Sequence, residues 1–214
     1  MSEMKQGNLI EYQPTKKEKY QTYLENLREC QDCSLKSEGQ HYCPGWGNLD
    51  ANVMFIGEAP GEVSNPDLRG LAFVGNRSSD MFYKAIKETF GEYGDIWTTN
   101  VVKCNPPGNR TPSRLEILCC SKFIYKELHI VKPEIIVLLG RTAIDFLLPE
   151  CRGKSIKNLL GKKFSWQGIP IYAMYHPAYA CRCGPKFERV YLGWFRILKR
   201  KYDELVADGG KRTT

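Results

Sequence analysis

At 214 residues with 42% hydrophobic side chains, the chain is long enough for one domain with a sizeable core. No apolar run approaches the roughly 18–20 residues of a membrane span, and the polar N-terminus lacks the apolar centre of a secretion signal. The expectation is therefore a cytoplasmic protein without membrane partners. A net charge of +7 permits a polyanionic partner through phosphate contacts, or serves solubility alone. The basic residues gather late, in RGKSIKNLLGKK (152–163), RCGPKFER (182–189) and RILKRKY (196–202).

In chain order, residues 1–20 read as a polar arm. The stretch 20–33 carries a helical stripe of Tyr20, Tyr23, Leu24 and Leu27 and ends in C-x-x-C. Residues 41–50, HYCPGWGNLD, read as loop. Four strands are predicted: ANVMFIG (51–57), DIWTTNVV (95–102), EIIVLLG (134–140) and IPIYAMYH (169–176), with KKFSWQG (162–168) a hairpin partner for the last. Helices are predicted near 78–90, 112–130 and 141–148, with a last one over 186–207. Residues 21–207 then form one domain and the tail 208–214 is expected to be disordered.

Strands alternating with helices imply an α/β/α sandwich around a mainly parallel four-stranded sheet. Right-handed crossovers put the strand carboxyl ends on one rim, where such sheets bind ligands. The unusual residues follow the strands: GEAPG (57–61) after the first, NVVKCNPPGNR (100–110) after the second, and HPA (176–178) after the fourth. Any one of these could be a tight turn; three on one rim describe a site. There is no P-loop and no G-x-G-x-x-G, which counts against a nucleotide-binding enzyme.

GEAPG, a downstream FVG (73–75), TNVVKCNPPGNRTP (99–112) and YHPA (175–178), in that order, resemble the uracil-DNA glycosylase superfamily, nearest its type 4, iron–sulfur branch. The resemblance spans roughly residues 25–198. It implies a monomeric, monofunctional DNA repair enzyme, associated with DNA, that flips uracil out of DNA and hydrolyses its N-glycosidic bond. No metal would act at the reaction centre, and a four-cysteine cluster would lie elsewhere.

On that resemblance His176 donates from a neutral imidazole to uracil O2, and Asn100 matches O4 and N3–H, a pattern cytosine reverses. Glu58 orients the attacking water. Gly57 and Ala59 line the base slot, and Phe73 stacks on the base or packs as an ordinary core residue. Tyr179 and Arg182, in a loop after the fourth strand, enter the duplex, and Arg110 holds phosphate.

Nine cysteines, an odd number without a secretion signal, argue for metal or catalysis over a disulfide framework. Cys30 and Cys33 form the C-x-x-C; Cys104 and Cys119/Cys120 follow. The family pattern puts the last ligand at Cys120, leaving Cys43 as the rival ligand, Cys151 a buried thiol, and Cys181/Cys183 most simply explained by chance. Four thiolates suit [4Fe–4S] or zinc, and spacing does not separate them; the resemblance favours [4Fe–4S], in a structural role.

The sequence also departs from the family. The stretch 62–75 is two residues longer than usual, with Ser64 where a glutamate is common, Leu71-Ala72 for Arg-Pro, and HPA for HPS. A glycosylase with shifted base specificity is therefore one alternative reading. A metal-stabilised nucleic-acid-binding protein without catalysis is another.

Overall fold

The computed structural model describes residues 13–37, 42–61, 72–73, 75–91 and 95–207. Ser64, Leu71, most of the arm and the C-terminal tail lie outside the described residues.

The first helix, α1 (Lys16–Arg28), begins inside the segment assigned to the arm. A capping box sets that start: Thr15 Oγ1 accepts from the Glu18 N–H, and the Glu18 carboxylate accepts from the Thr15 N–H. The T-x-x-E signal was present in the sequence and outweighs the polarity of the region. A single turn, α2 (Ser34–Ser37), follows.

The sheet has six strands rather than four, in the order β1-β3-β2-β4-β6-β5. The four predicted strands, β2 (Val53–Gly57), β3 (Ile96–Asn100), β4 (Ile135–Leu139) and β6 (Ile169–Met174), form its parallel centre. The predicted hairpin partner is β5 (Lys163–Trp166), joined antiparallel to β6 through Gln167 and Gly168, both at positive φ. The unforeseen strand is β1 (Trp46–Gly47), an antiparallel edge on β3 too short to leave a periodic signal.

Residues of β2, β3 and β4 are buried throughout, as expected for strands covered on both faces. Alternate side chains feed two cores. Met54, Ile56, Ile136 and Leu138 pack with α1, α4 (Arg114–Val131) and α5 (Arg141–Leu147). Phe55, Val137 and Leu139 pack with α3 (Arg77–Phe90), α6 (Pro177–Cys183) and α7 (Pro185–Ala207). Helices thus cover both faces. The crossover from β2 runs to one side, toward β3, and the connection from β4 to the other, toward β6, so the rim between the β2 and β4 carboxyl ends is the topological switch point.

Among the described residues no helix is long and apolar enough to cross a membrane.

Candidate active site

Gly57 and Asn100 end β2 and β3 in register. The pairing continues as the chains leave the sheet: the Val101 N–H donates to the Gly57 carbonyl at 2.9 Å, and the Val102 N–H to the Glu58 carbonyl at 3.0 Å. Only glycine fits at position 57. A Cβ there would stand 2.5 Å from Asn100 Oδ1 and overlap the Phe73 ring. Asn100, Phe73 and the β2 end therefore meet at one point.

Asn100 is 2% exposed, and its Oδ1 has no hydrogen-bond partner among the described residues. An orphaned buried acceptor costs about 1–3 kcal/mol, so its presence calls for a reason. It is an acceptor waiting for an N–H that the described residues do not supply.

Glu58 is half-buried, and its carboxylate accepts from the hydroxyl of Thr142 in the first turn of α5. This bond spans the switch point between β2 and β4. The rest of the loop is anchored as well: Asn105 Nδ2 donates to the Pro60 carbonyl at 2.8 Å, tying GEAPG to the proline loop. Ala59 is half-buried against the α1/α4/α5 core.

His176 follows β6 and caps α6, its Nδ1 accepting the Ala178 N–H at 3.2 Å. With Nδ1 an acceptor, the ring proton belongs on Nε2. Burial, reinforced by the Arg182 charge, pulls the imidazole down to about 4, so it is neutral at physiological pH. Gly140, at φ 90°, gives it room: a Cβ there would lie 3.1 Å from His176 Cβ.

Phe73 sits at φ 58° and stacks on Phe82 at 5.0 Å and on the His176 ring at 5.9 Å. Its neighbour Ala72 is pinned through its carbonyl by Trp46 Nε1 at 2.9 Å and the Tyr83 hydroxyl at 3.2 Å. One aromatic stack thus links the base of α3 to the imidazole, with its edge at Gly57 and Asn100.

Three of the sequence-predicted residues stand apart from this centre. The segment read as a loop after the fourth strand is the helix α6, started by Pro177 at its first position and capped by His176. Tyr179 is exposed on it and stacks on Tyr175 at 5.0 Å, and Arg182 lies in its last turn. Arg110 is forked onto the buried carboxylate of Glu116, at 2.7 and 2.9 Å. Glu116 also caps α4, so the guanidinium supplies the counter-charge of a buried carboxylate.

The four chosen cysteines are all free thiols. Burial, then the neighbouring Cys120, Cys33 and Cys30, pushes Cys104 up to about 12. Burial likewise raises Cys120 to about 11, opposed by the Lys103 N–H and the Lys103 charge and reinforced by Cys33 and Cys30. The four sulfurs therefore lie within electrostatic reach of one another, and a positive centre among them would be required to hold them as thiolates. The Lys103 N–H points at Cys120 Sγ, 3.2 Å away. Among the described residues no three His, Cys, Asp or Glu side chains are gathered tightly enough for one metal ion.

The remaining cysteines differ. Cys43 is buried, with its N–H on the Lys103 carbonyl at 2.7 Å, and faces Lys103 and Glu127 first and Cys104 last. Cys151 is buried in the apolar core, Cys181 lies 3.9 Å from Met81 Sδ, and Cys183 is exposed.

Sequence reasoning missed Thr142 and the wholly buried pair Lys103–Glu127, joined at 2.9 Å. Thr142 was within reach of the rule that found the others, since it follows the β4 carboxyl end. Lys103 carried a signal too: a lone cation inside the apolar run from 101 to 104.

A family model for the uracil DNA glycosylase superfamily matches residues 44–196. The chain is 37% identical over 182 residues to a type-4 uracil-DNA glycosylase of Saccharolobus solfataricus, covering 82% of each chain. It is 38% identical to a type-4 uracil-DNA glycosylase of Sulfurisphaera tokodaii, over 73% of this chain and 75% of the relative. A Thermotoga maritima protein of the same description is 34% identical, over 78% of this chain and 86% of its own length. With the matched region spanning the sheet, both helical layers and every strand end described above, the chain belongs to the uracil DNA glycosylase superfamily.

Proposed function

We propose that the protein is a monofunctional uracil-DNA glycosylase of DNA repair, hydrolysing the bond between uracil N1 and deoxyribose C1′ and leaving an abasic site. The observation that carries this reading is the buried Oδ1 of Asn100, which has no partner among the described residues. Uracil has an N3–H to donate to it; cytosine presents a lone pair there and would leave the acceptor unmet. That difference discriminates between the two bases.

As the glycosidic bond breaks, negative charge gathers on the base and positive charge on the sugar. The neutral His176 imidazole, protonated on Nε2, donates to uracil O2 as that charge develops. Glu58, held by Thr142, orients water toward C1′ and favours the sugar cation. Phe73 offers an aromatic face beside the slot, and Gly57 lets the base come close to the β2 end. Tyr179, exposed on the helix that His176 caps, is placed to meet the duplex while the nucleotide is out of the stack. Arg182 and the basic stretch 152–163 supply phosphate contacts.

Cys30, Cys33, Cys104 and Cys120 would hold a [4Fe–4S] cluster. The four thiols interact electrostatically with one another, which supports one shared centre, and the resemblance to the type 4 branch favours the cluster over zinc. Bound there, the group would act as a covalent cross-link between the end of α1, the loop after β3 and α4.

The test is incubation of the purified protein with a uracil-containing oligonucleotide, followed by alkali. Strand scission at the uracil is expected, with single-turnover release slowed about 10²-fold or more in Asn100→Ala and His176→Ala. Release at the parent's rate by both variants would sink the mechanism. Oligonucleotides carrying mismatched thymine or other deaminated bases, run in parallel, define the specificity.

A further inference from the structure

Lys103 is wholly buried, and its two ends face different parts of the molecule. Its N–H meets Cys120 Sγ at 3.2 Å, and the next residue is Cys104. Its ammonium meets the Asn100 carbonyl at 2.8 Å, Thr99 Oγ1 at 2.5 Å and Glu127 Oε2 at 2.9 Å. Glu127, on α4, also accepts from the Gly45 N–H at 2.9 Å and from the Tyr23 hydroxyl. The ion pair is thus oriented, with its ammonium at the β3 end and its carboxylate toward α1.

Stability alone does not account for such a pair. Taking two ions out of water is costly, and apolar residues of similar volume commonly serve the fold as well. What the ammonium does locally is specific. The peptide joining Asn100 to Val101 is held at both ends: its carbonyl by Lys103 Nζ, its N–H by the Gly57 carbonyl at 2.9 Å. With the Asn100 Oδ1 unpartnered among the described residues, the backbone carries the burden of aiming that side chain.

The geometry points to Lys103 as a positioning residue that joins the four-cysteine centre to the amide of Asn100 and fixes how that amide meets the base. This role rests on the glycosylase reading above. Loss of the ammonium frees the peptide to rotate and swings the Asn100 side chain, while the DNA-binding surface is untouched. Displacement of that kind reduces turnover more than affinity.

The test is the uncharged double variant Lys103→Met/Glu127→Gln, in which the introduced side-chain amide keeps a carbonyl oxygen to accept from Gly45 and Tyr23. Iron content, thiol titre and unfolding midpoint are measured alongside single-turnover uracil release and DNA affinity. Release is expected to fall about 10- to 100-fold, with affinity changed by less than about threefold. In an Asn100→Ala background the same two substitutions should cause no further loss, because they act through Asn100. A second measurement needs no variant: in the parent, the Val101 amide should exchange hydrogen as slowly as amides of β2 and β4. Parent-like release by a folded variant, a full additional loss in the Asn100→Ala background, or a fast-exchanging Val101 amide each overturns this role alone. A parent that releases no uracil overturns the proposed function, and this role with it.

Discussion

Asn100→Leu separates the site's chemistry from its stability. Leucine nearly matches asparagine in shape, and the Asn100 Oδ1 it replaces is buried without a partner among the described residues. Removing the orphan acceptor returns its burial penalty, about 1–3 kcal/mol. For a chain of this length each kcal/mol moves the melting temperature by about 2–4 °C, so the variant should melt roughly 2–12 °C higher than the parent. Uracil release should move the other way. The variant cannot accept the uracil N3–H, and loss of a positioned polar contact of this kind costs about 10²- to 10³-fold in rate. The assay pairs a thermal melt with single-turnover release from a uracil-containing oligonucleotide on the same preparation. A lower melting temperature with release intact would show that Oδ1 already has a partner and does not read the base. A rise in stability with loss of function marks a group kept for chemistry at the fold's expense.

Release should be governed on the acid side by a group titrating near 4, because burial holds the His176 imidazole there; its neutral form, with Nδ1 free to accept the Ala178 N–H that orients the ring, persists above that pH and is lost as pH falls through it. An acid limb near 6.5 in the parent would contradict the buried, neutral imidazole. Glu116 is held down to about 2 by the Arg110 fork, its Ser113 contacts overcoming some opposing burial, so its contribution is present above the ordinary carboxylate range and fades as pH falls toward 2. With solvent screening at the exposed Arg110 allowed for, that contribution is about 1–2 kcal/mol. Glu116→Gln should lose both it and the matching acid limb in pH-dependent unfolding. Thr142→Val removes the donor to Glu58; turnover should drop about tenfold while DNA affinity holds, through lost orientation of the carboxylate. Cys104→Ala should abolish iron loading and lower the melting temperature, whereas Cys151→Ala, away from the four thiols, should leave iron content unchanged.

The sequence by itself determined the layering of this protein. Continuous apolar runs such as VMFIG and IIVLL admit one environment, a sheet covered on both faces, and the alternation of strands and helices then placed GEAPG, the NPPGN loop and HPA on one rim. Chemistry located by a strand end is legible because the strand end is legible. What tertiary structure alone decided were the pairings across the chain. Thr142 finds Glu58 over 84 positions and Glu127 finds Lys103 over 24, and nothing local in either residue names its partner. Arg110 forks onto Glu116, six residues on, because that carboxylate is buried at the start of α4 and needs a counter-charge. The Asn100 acceptor left unmet by the described residues belongs to the same class: whether a buried atom finds a partner is a property of everything packed around it, which only the folded chain decides.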